Sequence, residues 1–145
     1  MITEILIASQ RGIDINQLNS VKAIAGSGLE GDRYTLPDNR KSDLYQVTLI
    51  EVENINRYNK KHGESFCAID LRRNLVTQGI NLNDLVGKQF TVVNEAVFEG
   101  IELCEPCSLL ANRTHPSIVK GLLHRGGLRA KLIKSGEIFV GDSVC

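Results

Sequence analysis

Apolar residues recur along this chain in short, strand-length clusters, separated by glycine, proline and charge. Ile5, Leu6 and Ile7 lie within a loosely alternating first strand, Ile2–Ser9. Val21–Ala25 predicts a short second strand. It runs into Gly26, Gly28 and Gly31, glycines that permit positive φ and close backbone approach. Leu36–Asp43, with Pro37, Asp38 and Asn39, reads as a loop. Gln46–Ile50 is a strand. Glu51–His62 reads as a helix with Val52, Ile55 and Tyr58 on one face, Glu53 and Arg57 four apart, and Gly63 as its stop. Leu71–Val76 is expected to be extended, and Asn81–Val86 a short helix or turn ending at Gly87. Phe90–Val93 and Ala96–Leu103 read as strands joined by Asn94 and Glu95. Ser108–Asn112 and Ser117–Leu123 read as helices broken by Pro116, and Leu128–Lys134 and Glu137–Val144 as a closing hairpin around Ser135 and Gly136.

That amounts to about seven short strands and two or three helices. It predicts a mainly β fold, a closed or half-closed barrel of short strands with helices at its ends. A single domain over residues 1–145 holds enough chain for one core. Strands and helices do not alternate as in a dinucleotide-binding fold, and no G-x-G-x-x-G opens a helix after a strand.

Composition narrows the partners. Hydrophobic content is 42% and charged content 23%, ordinary for a soluble globular domain. Seventeen Lys and Arg balance seventeen Asp and Glu, so no global field attracts nucleic acid or an anionic membrane, and any anion site must be local. Residues Met1 to Glu4 show no basic-then-apolar leader, and no apolar run reaches membrane-spanning length, so a cytoplasmic setting is expected. There, Cys67, Cys104, Cys107 and Cys145 read as thiols rather than a disulfide framework.

Cys107 is the leading candidate for chemistry. It follows Pro106, whose φ is fixed near −65°, at a junction between a β-like and a helical run. The same residue would also serve as a small core hydrophobe. Three further segments place arginines beside glycines or the thiol. Gly28–Tyr34 carries Arg33 in a turn whose amides and guanidinium suit an anion. Asp70–Val76 carries Arg72 and Asn74 on one expected strand face and Arg73 on the other. His124–Arg129 carries Arg125 before Gly126 and Gly127, suited to a phosphate cradle and equally to a helix stop. Each guanidinium can fork onto phosphate. A soft thiolate with a phosphate-bearing organic ligand is the combination these pieces suggest. The alternative is Cys104-x-x-Cys107 as a thiol redox pair or half of a shared zinc site.

The chain resembles a MOSC domain, the module named after the C-terminal part of molybdenum-cofactor sulfurases. The match runs in order through Gly31-Asp32-Arg33, Gln46 to Glu51, Arg72-Arg73-Asn74-Leu75, Gly79 to Leu82, Gly87, Pro106-Cys107 and Gly136 to Asp142. The resemblance implies a barrel-like β fold with a cysteine at a cleft. It assigns Cys107 as molybdenum ligand or sulfur carrier, and Arg73 and Asn74 to binding of the molybdenum cofactor (molybdopterin). Arg33, Arg125 and Arg72 are softer transfers. Tyr34 stands where family members often carry His, and Cys104 is an extra thiol. Two roles follow. One is cofactor sulfuration or handling, up to reduction of N-hydroxylated compounds; the other is a non-catalytic carrier of cofactor or persulfide. The implied partners are cofactor-biosynthesis or sulfur-donor proteins, or a separate electron-donor protein. Pyridoxal phosphate belongs to larger relatives with a sulfurase domain, for which 145 residues leave no room.

Overall fold

A computed structural model describes residues 1–9, 15–35, 46–93 and 95–145. The expected loop 36–43 and Asn94 of the expected turn lie outside the described residues. The chain runs β1 (Ile2–Ile7), β2 (Asn16–Leu18), β3 (Ser20–Ile24), β4 (Gly28–Leu29), β5 (Val47–Glu51), α1 (Val52–His62), α2 (Ala68–Leu71) and β6 (Leu75–Thr77). It continues through β7 (Gln89–Val92), β8 (Ala96–Leu103), α3 (Ser108–Arg113), α4 (Ile118–Gly121), β9 (Leu128–Lys134) and β10 (Gly136–Phe139).

Seven strands form one curled, half-barrel sheet in the order β2-β1-β6-β5-β9-β8-β7, and β10-β3-β4 form a second sheet. β5 and β6 pair in parallel, with Leu49 opposite Leu75. A parallel pair needs a crossover, and α1 and α2 supply it across one face of the sheet.

Every residue of β5 is buried because both faces of the strand are covered. Val47 and Leu49 join the barrel core with Leu75, Phe98, Leu128 and Ala130. Ile50 faces the other way, into a second core with Ile55, Tyr58, Leu71, Leu110 and Ile118 from the helices. In β1, a bulge between Ile2 and Glu4 lets Ile2 and Ile5 face the same core despite their odd spacing. Phe90 and Phe98 pair across β7 and β8, with ring centroids 5.2 Å apart. Gly63 ends α1 with φ 64°, the left-handed stop the sequence predicted.

Two expectations are corrected. The stretch Leu71–Val76 is not extended throughout. A helical turn ends at Leu71, Arg72 caps it in the left-handed region at φ 57°, and the strand begins only at Leu75. Strand alternation therefore does not govern Arg72, Arg73 and Asn74. Nor do β9 and β10 form a hairpin: β9 pairs with β5 and β8, whereas β10 pairs with β3. The chain changes sheet at Gly136, where an added Cβ would sit 2.7 Å from the Ala96 nitrogen. Beyond Phe139 the expected strand gives way to a turn and a single bridge from Val144 to Val92.

Candidate functional site

The register brings four strand ends to one rim. Glu51 at the end of β5 stands opposite Thr77 at the end of β6, while Leu128 at the start of β9 pairs with Leu49 and with Leu103 at the end of β8. The segments that follow or precede these ends, including the Cys104–Cys107 junction and the Arg125–Gly127 loop, are therefore neighbours.

The junction is held from several sides. Cys104 is 3% exposed, and its amide donates to the Gly127 carbonyl at 2.8 Å. Pro106 is buried, and Cys107 is exposed at the head of α3, its carbonyl accepting from the Ala111 amide at 3.0 Å. Arg73 donates from Nε to the Gly126 carbonyl at 2.9 Å, from Nη2 to the Cys104 carbonyl at 3.2 Å and from Nη1 to the Leu71 carbonyl at 3.1 Å. Arg73 precedes β6 on one side of β5, while Gly126 and Cys104 flank β9 and β8 on the other, so its side chain spans β5. Three of its five N–H groups are thereby committed to the protein's own backbone.

Gly126 and Gly127 make this packing possible. A Cβ on Gly126 would sit 2.4 Å from the Cys104 carbonyl oxygen, and one on Gly127 would sit 1.9 Å from the Leu49 carbonyl oxygen. Both glycines are buried spacers between the junction and β5. Glu105 clamps the same loop: its carboxylate accepts from the His124 amide at 2.8 Å and lies 2.9 Å from His124 Nδ1.

Beside this loop lies a groove of about 360 Å³, lined by Glu51, Asn54, Arg57, Asn81 and Arg125 among others. Glu51 is 8% exposed, and its Oε1 is buried without a hydrogen-bond partner. Burial pushes its carboxyl above the ordinary range, and the nearby negative charge of Glu53 pushes the same way; Arg125, a hydrogen bond from the Leu82 backbone and Arg57 oppose them. Glu53 accepts from the Gly79 amide at 2.7 Å, and Arg57 donates to Asn54 Oδ1 at 3.3 Å, so these bonds point away from the expected i,i+4 pair. The sequence reading assigned no role to Glu51, Asn54 or Asn81. The available signal was Glu51 itself, a carboxylate closing an otherwise uncharged buried strand.

The remaining candidates are elsewhere. Asp32 is fully buried; it accepts from the Ala8 amide at 3.0 Å, Asn74 Nδ2 at 3.2 Å and the Tyr34 amide at 3.3 Å. Burial raises its pKa against the pull of those donors and of Arg33. The Arg33 guanidinium lies 4.5 Å from the Tyr34 ring centroid. This cluster sits by the starts of β5 and β6, three residues or about 10 Å along the strand from Glu51. Asn74, 2% exposed, spends its carboxamide on internal bonds to Thr48, Leu6 and Asp32. The predicted residues thus fall into three places: Cys107 with Arg73, Arg125 in the groove, and Arg33 with Asn74 at the far end. Arg72 caps α2.

The curled half-barrel agrees with the barrel-like fold that the resemblance implied, and the sequence profile of the MOSC domain matches residues 37–145. The chain belongs to the MOSC domain family. That family is generally associated with molybdenum-cofactor binding or sulfuration. Solved structures agree on the fold. The YuaD protein from Bacillus subtilis matches with a TM-score of 0.81 at 16% identity, over 99% of this chain and 94% of that one. YiiM from Geobacillus stearothermophilus matches with a TM-score of 0.75 at 17% identity, over 99% of this chain and 73% of that one. YiiM from Escherichia coli gives 0.70 at 18% identity, with 99% and 68% covered. No curated protein matches the sequence. No helix among the described residues is long and apolar enough to cross a membrane.

Proposed function

We propose that this MOSC domain binds the molybdenum cofactor through Cys107, as metal ligand or as carrier of a sulfur atom bound for the metal. The observation that carries the reading is the exposed Cys107 beside a buried, braced junction. Among the described residues no three His, Cys, Asp or Glu cluster to hold a metal ion. At the junction Cys107 is the exposed thiol, and one soft sulfur suits a metal arriving with its own organic ligand. The same observation weighs against the Cys104-x-x-Cys107 zinc or redox alternative, because Cys104 is buried and Cys107 exposed.

The residues fit the group. Cys107 supplies the thiolate, while Arg125 and Arg72 are the candidates to hold the organic part; Arg33 is more remote. Arg73 positions the junction, and Asn74 holds the strands behind it. The bound cofactor would supply two-electron redox chemistry or accept a sulfur atom. As an enzyme, the domain would reduce an N-hydroxylated compound. The N–O bond breaks, two electrons from a separate donor protein and two protons are consumed, and water leaves. As a carrier, it would hand over cofactor or persulfide without turnover, a role favoured by the exposure of Cys107. A cytoplasmic location suits either.

The test is loading. Purified protein mixed with cofactor released from a molybdenum enzyme should retain molybdenum and pterin fluorescence through gel filtration. Protein eluting without either would overturn the reading. In loaded protein, turnover of a hydroxylamine with a chemical reductant separates enzyme from carrier.

A further inference from the structure

The segment that carries α4 is apolar on both sides. Ile118 and Leu122 are buried in the second core, while Val119 and Leu123, four apart, are 37% and 50% exposed. A surface helix ordinarily turns a polar face to water, and this one does not. The surroundings of that outer face are basic. Arg113 and Lys120 are exposed on the same segment. α4 packs on α1 so closely that a Cβ on Gly121 would sit 2.4 Å from the Tyr58 ring and 3.0 Å from His62 Nε2. That seam brings in Lys61, exposed beside His62. No ion pair among the described residues holds Lys61, Arg113 or Lys120. Glu105 is the one acidic residue between Cys104 and Gly126, and the amide and ring of His124 already hold it.

An apolar centre with a charged rim is the anatomy of a protein interface. Charge selects the occupant. A second copy docking by the same face about a two-fold axis would set Arg113 and Lys120 against like charges. A lipid surface would meet two aliphatic side chains on a four-residue helix, without an aromatic anchor. A protein with an acidic rim meets neither penalty. The face also leads to the thiol, because His124, next to Leu123, is bonded to Glu105, two residues before Cys107.

We infer that Val119 and Leu123, framed by Lys61, Arg113 and Lys120, dock an electron-donor protein by an acidic face of that protein. The inference rests on the cofactor reading for the class of partner; docking itself needs no metal.

The experiment is titration calorimetry of the purified domain with flavodoxin, an acidic electron-transfer protein, and with cytochrome c, a basic one. Flavodoxin should bind, and roughly tenfold more weakly at about 300 mM salt than at about 50 mM. The double variant Arg113→Glu, Lys120→Glu should weaken binding roughly tenfold or more. Leu123→Ser, altering an exposed side chain, should weaken it several-fold and leave the salt dependence unchanged. Lys134→Glu, at the far end of β9, should bind as wild type does. No flavodoxin binding, equal binding of cytochrome c, or an equal loss in Lys134→Glu would overturn the inference. So would a dimer that Leu123→Ser dissociates, which names a second copy as the occupant. Tighter retention on phosphatidylglycerol-containing vesicles than on flavodoxin would overturn it in favour of lipid. If flavodoxin docks while no molybdenum loads on Cys107, the cofactor reading falls and the docking face stands. If molybdenum loads and flavodoxin does not dock, only this inference falls.

Discussion

Asn74 donates from Nδ2 to Asp32 Oδ1 at 3.2 Å, while its own Oδ1 accepts from the Thr48 amide at 3.0 Å and from Thr48 Oγ1 at 3.1 Å. One buried carboxamide thus ties the Asp32 turn to β5 and to the start of β6. Asn74→Ala would strand Asp32 and Thr48 groups in the interior. The expected cost is about 2–4 kcal/mol in chemical denaturation. A variant as stable as wild type would show that the network carries no weight.

Much of the fold was readable because its signals are local. Val47 to Ile50 and Ala96 to Leu103 carry enough apolar residues to declare strands, and Gly63 declares the end of α1. The sheet change at Gly136 was hidden, because the choice of pairing partner depends on Ala96, forty residues earlier. The site was legible in part. Cys107 announced itself through Pro106, and Arg125 through its glycines. Nothing local in the sequence shows that the donors of Arg73 and Asn74, which the resemblance assigns to cofactor binding, reach Gly126, Cys104 and Leu6. Glu51 went unassigned because its isolation is created by the walls around it.

Arg73 should matter to stability before it matters to binding. Arg73→Ala removes three charge-assisted bonds to backbone carbonyls. A loss of about 2–4 kcal/mol is expected by denaturation. Arg73→Lys should recover only part of it, since an ammonium cannot reproduce the fork. Full recovery in the lysine variant would contradict the strut geometry.

Glu51 sets a pH dependence with a definite sign. Its folded pKa is raised, by burial first and by Glu53 second. The folded protein therefore binds a proton where the unfolded chain has released it. The stabilisation is fully present below the ordinary value near 4.5 and is lost as pH rises through the folded pKa. Relative to wild type, Glu51→Gln should flatten that decline in denaturation midpoint. An unchanged slope would assign the dependence to another group.

The thiols should differ in access. Brief alkylation of the native protein should label Cys67, Cys107 and Cys145, which are exposed, and spare Cys104. Peptide mass spectrometry reads this directly. Labelling of Cys104 at the rate of Cys107 would mean that the junction opens in solution.

The most direct test of the central claim is metal and pterin content after purification from a host that makes the molybdenum cofactor. Wild type and Cys104→Ala should carry molybdenum and pterin, while folded Cys107→Ala should lose the molybdenum. Equal molybdenum in wild type and Cys107→Ala, or zinc in its place, would contradict the assignment of Cys107 as the cofactor-bearing thiol.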